Sequence, residues 1–265
     1  MAEKDTVGDK YYRSVTVSNT LGGFAFIVGI PISIVIFFKD SLLIASAIGA
    51  EYAALLGDIF QSLFLVITVF LFFQGMSHRL YFLPRAEDAR RANILTDGFG
   101  VPISDDETIG YYNNSLSEPA PRLAANCMES AFFTKELTRR MLVRSRWFSS
   151  IYLLGYIFLL ATRSVDLAVV DLLAGFVFSE FVLARWFRLE FLHRRSEVVY
   201  EKFRELFAWN LVTRDDLWVA RAINTFTLYE ASKSIAAVSI PSSLFSKMNP
   251  SLSGEWEAIR VKLGV

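Results

Sequence analysis

The side chains best equipped for chemistry fall between residues 90 and 140. Arg90, Arg91, Asp97, Tyr111, Tyr112, Asn113 and Asn114 lie in polar, loop-rich sequence, and Arg139 and Arg140 lie in a stretch that reads as helix. Arginine pairs phosphate through two parallel hydrogen bonds, tyrosine stacks on a base, and asparagine reads an amide-like base edge. These are the parts that a small cyclic-nucleotide ligand needs. The same residues have a plainer reading: paired arginines near a membrane contact anionic lipid, and Asn-Asn is a common turn.

Other chemistry finds little support. The chain has no Ser-His-Asp set, Walker loop, G-x-G-x-x-G or H-E-x-x-H, so no enzyme is expected. Gly98-Phe99-Gly100 is a lone G-x-G after a helical stretch rather than a strand. Asp105-Asp106-Glu107 has the chemistry of a hard-cation site, but reads more simply as a solvated helix start. A single cysteine, Cys127, excludes an internal disulfide, and two histidines, His78 and His193, do not build a zinc site without carboxylate help. No cofactor or metal is expected. The 27 basic and 27 acidic residues balance, which gives no pull toward a nucleic-acid polymer.

The elements that must position these residues are helices, many of them apolar. The chain has 265 residues, 53% of them hydrophobic, with 24 phenylalanines. Four apolar stretches stand out: Leu21–Phe38, Ile59–Phe73, Trp147–Ala161 and Leu167–Ala184. A bilayer core about 30 Å thick takes roughly 17–25 helical residues, so each is near or slightly below span length. Basic residues bias loops to the cytosol. Lys4, Lys10 and Arg13 precede the first stretch, Arg79, Arg85, Arg90 and Arg91 follow the second, Arg139, Arg140, Arg144 and Arg146 precede the third, and Arg185, Arg188, Arg194 and Arg195 follow the fourth. The expected fold is an all-α membrane protein with four transmembrane helices and helical cytosolic extensions. Its parts are a cytosolic N-terminal segment (1–20), spans one and two (21–75), a cytosolic middle segment (76–146), spans three and four (147–187) and a cytosolic helical C-terminal region (188–265). Both termini are cytosolic in this reading. A cleaved leader fits poorly, because the first run is too long and Lys39-Asp40 separates it from Ala45-Ser46-Ala47.

Pro84–Leu95 is expected to form a short helix, Asp97-Gly98-Phe99-Gly100 a turn, and Ser104-Asp105-Asp106-Glu107 a capping box opening another helix. From Arg122 a helical pattern runs unbroken into the third stretch, and the fourth continues past Ala184 with Glu190–Arg194 as an i,i+4 pair. Spans three and four therefore read as one long helical hairpin. Thr213 is the expected N-cap of a helix reaching about Ala237, and a last helix covers about Gly254–Leu263. Candidates for a pore or gate are Gly29 and the kinking Pro31 in the first span, and Asp171, Gly175 and Glu180 in the fourth. Intramembrane acids are costly and invite a functional reading. Asp58 and Asp171 lie close to the outer surface, where they can reach water. Glu180, level with Tyr152, either lines a cation path or hydrogen-bonds that tyrosine. Asp171 and Glu180 point in roughly opposite directions, so one pore lined by both is not expected.

The run Arg91-Ala92-Asn93-Ile94-Leu95-Thr96-Asp97-Gly98-Phe99-Gly100, then Tyr111-Tyr112-Asn113-Asn114, then Asn126-Cys127-Met128-Glu129-Ser130-Ala131-Phe132-Phe133, sits between two pairs of spans and before an Ile240-Pro241 tail. In this layout the chain resembles the bacterial four-transmembrane effectors of CBASS-type anti-phage systems, the SMODS-associated group. The resemblance implies an inner-membrane, homo-oligomeric effector that senses a cyclic nucleotide or oligonucleotide in the cytosol and permeabilises the bilayer. It carries over no individual ligand residue. The alternatives are a static membrane scaffold that recruits a cytosolic protein, and a small channel.

Overall fold

The computed structural model describes residues 4–38, 49–106, 108–162, 182–208 and 215–265. Within them the chain is almost wholly α-helical, as expected of an all-α protein. The helices are α1 (Arg13–Phe38), α2 (Ala50–Ser77), α3 (Leu83–Phe99), α4 (Pro119–Thr162), α5 (Leu183–Ala208), α6 (Asp216–Ala236) and α7 (Ser242–Leu263). Short π-helical turns at Gly8–Tyr12 and His78–Phe82 lead into α1 and α3. One small antiparallel pairing joins β1 (Lys4–Asp5) to β2 (Thr108–Ile109), with Asp5 opposite Thr108.

The described residues form two compact units. One draws on Met1–Thr16, Phe82–Arg146 and Arg185–Val265, the other on Val17–Tyr81 and Trp147–Ala184. The core of the first unit is built on α4. Ala124, Cys127, Met128, Ala131 and Thr138 repeat at three- and four-residue spacing and are all at most 1% exposed, so they mark the buried stripe of an amphipathic helix. Against it pack Val199 and Phe203 from α5, Trp218, Ala222 and Tyr229 from α6, and Leu252 and Trp256 from α7. Burying each of the larger side chains stabilises the fold by about 1.5–3 kcal/mol. Phe132 stands at the centre of an aromatic group, its ring 5.8 Å from Tyr200 and 6.0 Å from Trp256.

The second unit is lined by apolar side chains on its outside. Two stretches, Gly8–Ser33 and Glu51–Phe99, contain helix long and apolar enough to cross a bilayer, by length and composition. In the second, only 6% of the most apolar window is buried, and Leu55, Ile59, Leu65, Val66, Phe72 and Phe73 are exposed. Residues 147–161 form the end of α4, with Ile151, Leu154, Ile157 and Phe158 also exposed. Within the unit, Gln74 of α2 donates to the backbone carbonyl of Ser18 at 2.8 Å and to its hydroxyl at 3.0 Å. Gly22 makes room for that amide, since a Cβ there would collide with it. Gly29 is buried and Pro31 is exposed inside α1. Pro31 deprives the Ile27 carbonyl of its helical partner. Asp171, Gly175 and Glu180 lie outside the described residues.

Several local expectations are corrected. Asp97-Gly98-Phe99-Gly100 is not a free turn: α3 continues through Phe99, and only Gly100, at φ 66°, takes the left-handed conformation that ends it. Gly98 is helical, and its role is close packing, because a Cβ there would stand 3.0 Å from Leu123 Cβ and 3.1 Å from its Cα. Ser104 opens no helix. Its hydroxyl accepts from the Asp106 amide at 3.1 Å, a local turn that competes with helix formation. The cap of α6 is Asp215, accepting from the Trp218 amide at 2.9 Å, two residues after Thr213. The last helix begins at Ser242, a dozen residues earlier than Gly254, and accommodates Pro250. Glu190 takes its hydrogen bonds from Arg146 of α4 at 2.6 Å, which does most to lower its pKa, and from Trp186 at 2.9 Å, while its i,i+4 neighbour Arg194 adds to that lowering through charge alone.

The approach of α3 to α4 predicts that Gly98→Ala destabilises the protein by about 1–3 kcal/mol through overpacking. Thermal unfolding in detergent, compared with Gly100→Ala as a strained-backbone control at the same helix end, measures it.

Candidate functional site

Helix α3 carries a polar face that is largely enclosed. Glu87, Arg90, Asn93, Ile94 and Asp97 follow three- and four-residue spacing and share that face. Ile94 packs into the main core, while the polar members each bind a different element.

Nearest the start of α3, Glu87 faces Lys233 of α6 at 2.7 Å, and Lys233 also meets Glu230 at 2.9 Å. All three side chains are at most 14% exposed. Burial disfavours the Glu87 charge, but Lys233 and the Tyr12 hydroxyl hold its pKa below the ordinary carboxylate value. Burial likewise opposes the Lys233 charge, and Glu87 and Glu230 more than offset it, leaving the pKa well raised. Both shifts favour the charged forms, so Glu87 and Lys233 form a buried ion pair, with the Glu230 carboxylate facing the same ammonium group. Tyr12 donates to Glu87 at 3.0 Å and Arg91 donates to Glu230 at 3.1 Å and to Asp88 at 2.9 Å.

Arg90 lies one helical turn further. Its guanidinium is 4.2 Å from the centre of the Tyr111 ring and 5.6 Å from that of Tyr12, and it donates to Asp5 at 2.8 Å. Such cation–π contacts each contribute about 0.5–2 kcal/mol, more when desolvated. Tyr112 packs edge-on to Tyr111 with ring centres 4.8 Å apart.

The far end of α3 and the segment after it form a hydrogen-bond chain. Arg122 donates to both oxygens of Asp97 at 2.8 and 3.3 Å, and the fully buried Asn126 donates to the same carboxylate at 2.6 Å. Asn126 accepts from Asn114 at 2.5 Å. Asn113 donates its backbone and side-chain N–H groups to Glu129 at 3.0 and 3.2 Å, and its carbonyl accepts from Trp256 at 3.4 Å. Burial pushes the Glu129 carboxyl up to about 7, against the pull of the two Asn113 bonds.

The structure therefore brings together seven of the nine candidate ligand residues: Arg90, Arg91, Asp97, Tyr111, Tyr112, Asn113 and Asn114. Most have their polar groups engaged within the protein. Arg139 and Arg140 are exposed on α4, ten residues and about 15 Å along the helix from Glu129, and Arg139 pairs with Glu136 of its own turn at 2.8 Å. Sequence reading missed the partners from elsewhere in the chain, namely Asp5, Tyr12, Glu129, Glu230 and Lys233. Of these, Glu230 and Lys233 carried a signal: they are opposite charges three residues apart near the end of α6. Among the described residues no cluster of three or more His, Cys, Asp or Glu has the arrangement of a metal site.

Two predictions follow from these charges. Lys233→Met leaves Glu87 facing Glu230 without a counter-charge and costs on the order of 3–5 kcal/mol, and adding Glu87→Gln recovers part of it. Unfolding midpoints of the single and double variants test this. For Glu129, the folded pKa lies above the ordinary value of 4.5. Its contribution to stability is thus fully present below about pH 4.5 and is lost as pH rises through about 7. Glu129→Gln removes that dependence, worth on the order of 2–3 kcal/mol over the window. Unfolding between pH 5 and 8, followed by tryptophan fluorescence, shows whether the slope disappears.

No protein-family model, curated protein or solved structure matches this chain, so a reading of its function rests on its own residues and layout.

Proposed function

We propose that the protein is a non-enzymatic, multi-pass effector of the bacterial inner membrane. In this reading the unit built on α3 to α7 senses a cyclic nucleotide or oligonucleotide in the cytosol. Binding shifts an oligomer of spans, at Leu21–Phe38, Ile59–Phe73, Trp147–Ala161 and Leu167–Ala184, toward a state that permeabilises the bilayer in anti-phage defence. Both termini are cytosolic. The carrying observation is the combination, in one chain, of helices whose apolar side chains lie exposed with an arginine packed against the rings of two tyrosines. The first is what a bilayer requires, because a helix exposing such side chains finds no stable place in water. The second has the chemistry of phosphate pairing and base stacking. The ligand must bind the permeabilising state more tightly than the resting one, or it shifts nothing.

A static scaffold is the second reading, and one observation favours it. Arg91, Asp97, Asn113 and Asn114 are all engaged by partners in the same unit, as structural residues would be. Such a scaffold would leave small ligands unbound and recruit a protein through its cytosolic helices.

The purified protein in dye-loaded liposomes separates the two. The effector reading expects release on addition of at least one cyclic di- or trinucleotide, and little release from Tyr111→Leu protein. A folded, inserted protein that releases nothing with a panel of such nucleotides, and whose unfolding temperature none of them changes, overturns it in favour of the scaffold.

A further inference from the structure

The N-terminal segment is strapped onto the first unit by contacts that centre on Arg90. Its β1 pairs with β2, Val7 and Val15 are buried, Lys10 binds Asp106 at 3.1 Å, and Tyr12 reaches Glu87. The Asp5 carboxylate takes the inner position: Oδ2 accepts from Arg90 at 2.8 Å, and Oδ1 accepts from the Gly8 amide at 2.9 Å. Gly8 allows this approach, because a Cβ there would stand 2.5 Å from Asp5 Oδ2. From Tyr12 the chain runs directly into α1.

Arg90 has more to give than Asp5 takes. Its Nη1 is buried and has no hydrogen-bond partner among the described residues, and the same holds for the Tyr112 hydroxyl. Tyr112 lies within electrostatic range of Arg90. A guanidinium offers five donors and a carboxylate has two oxygens, one of them here committed to Gly8. A phosphate group presents three or four acceptor oxygens and can satisfy the second guanidinium nitrogen and the tyrosine hydroxyl as well. Buried polar donors are almost always paired, so the unpaired Nη1, with the Tyr112 hydroxyl in its field, marks donor capacity that Asp5 does not use. The Asp5 side chain is 29% exposed and that of Arg90 14%, so a competitor reaches the pair from the Asp5 side.

We propose that Arg90, Tyr111 and Tyr112 form a phosphate-binding position that Asp5 fills in the resting protein, so that a phosphate-bearing ligand binds by displacing the N-terminal strap. Ligand entry breaks the Asp5–Arg90 contact, frees residues 4–12, and removes the restraint on the chain entering α1. The inference names the ligand group and the competitor at the site proposed above, and so rests on the ligand-sensing reading.

Full-length protein in phosphatidylcholine nanodiscs provides the test, with inorganic phosphate as the probe and sodium chloride at matched ionic strength as the control for screening. Phosphate is expected to raise amide hydrogen exchange in residues 4–12 while chloride does not. Asp5→Asn removes the competitor, and Gly8→Ala pushes the carboxylate aside without touching Arg90. Each is expected to tighten phosphate binding by about tenfold, read by calorimetry. A second set of nanodiscs containing phosphatidate identifies the source: strap exposure there, without effect of free phosphate, assigns the position to a lipid headgroup. Exchange unchanged by either source, or, where free phosphate does act, an affinity for it unchanged in both variants, overturns the proposal and leaves Asp5–Arg90 a structural ion pair. Dye release by cyclic nucleotides with no change at residues 4–12 sinks the strap but keeps the sensor. Strap release by phosphate with no dye release under any cyclic nucleotide does the reverse.

Discussion

Lys233 carries an ammonium group into the protein between two carboxylates, and the packing around α3 depends on that contact. Removing an ion from water costs several kcal/mol, which only close and complete partners offset. Glu87 and Glu230 supply the charges, and each is tied further, Glu87 by Tyr12 and Glu230 by Arg91. Apolar surfaces tolerate sliding by a residue or a turn, whereas this triad does not. It therefore sets the register of α6 against α3 and of the N-terminal segment against both. The remaining bonds of α3 then fall into place: Asn93 holds the backbone of Asp106 and the hydroxyl of Thr108, Thr96 accepts from the amides of Ile103 and Ser104, and Asp97 reaches Arg122 of α4.

Much of this was legible as pattern. The helical run through residue 161, the helix ending near Ala237 and the all-α class follow from periodicity and the positions of breakers, which report local backbone preference. The errors fall where tertiary contact overrides local preference. Asp97-Gly98-Phe99-Gly100 has turn composition, yet the first three residues stay helical because Asp97 is anchored to Arg122 and Gly98 must admit Leu123. Ser104-Asp105-Asp106-Glu107 has the spacing of a capping box, but Thr96 captures the Ser104 amide and Lys10 captures Asp106. Pro250 reads as a stop, though Leu252 and Trp256 beyond it are buried in the core and hold α7 together across it.

The candidate site was half visible. Arginine, tyrosine and asparagine at short spacing announce recognition chemistry, and the fold does gather seven of them. Residue types alone do not reveal that a carboxylate 85 positions away already meets Arg90. The segment that supplies it, residues 4–16, looked like a charged flank of an apolar helix, for which solvation is the ordinary fate. What distinguishes it is Val7 and Val15, both buried, the second clustered with Leu83 and Ala86. Two valines among polar residues are too weak a signal to separate a strap from a tail.

Cys127 sits at the centre of the α4 stripe with no exposed surface, and burial pushes its thiol pKa well up. Nucleophilicity belongs to the thiolate, so this sulfur is shielded twice, by access and by protonation. The only native thiol in the chain is thus silent toward alkylating and disulfide reagents while the fold is intact. A cysteine introduced on any exposed helix would react alone, and sudden reactivity of the native one would report that the α4 core had opened.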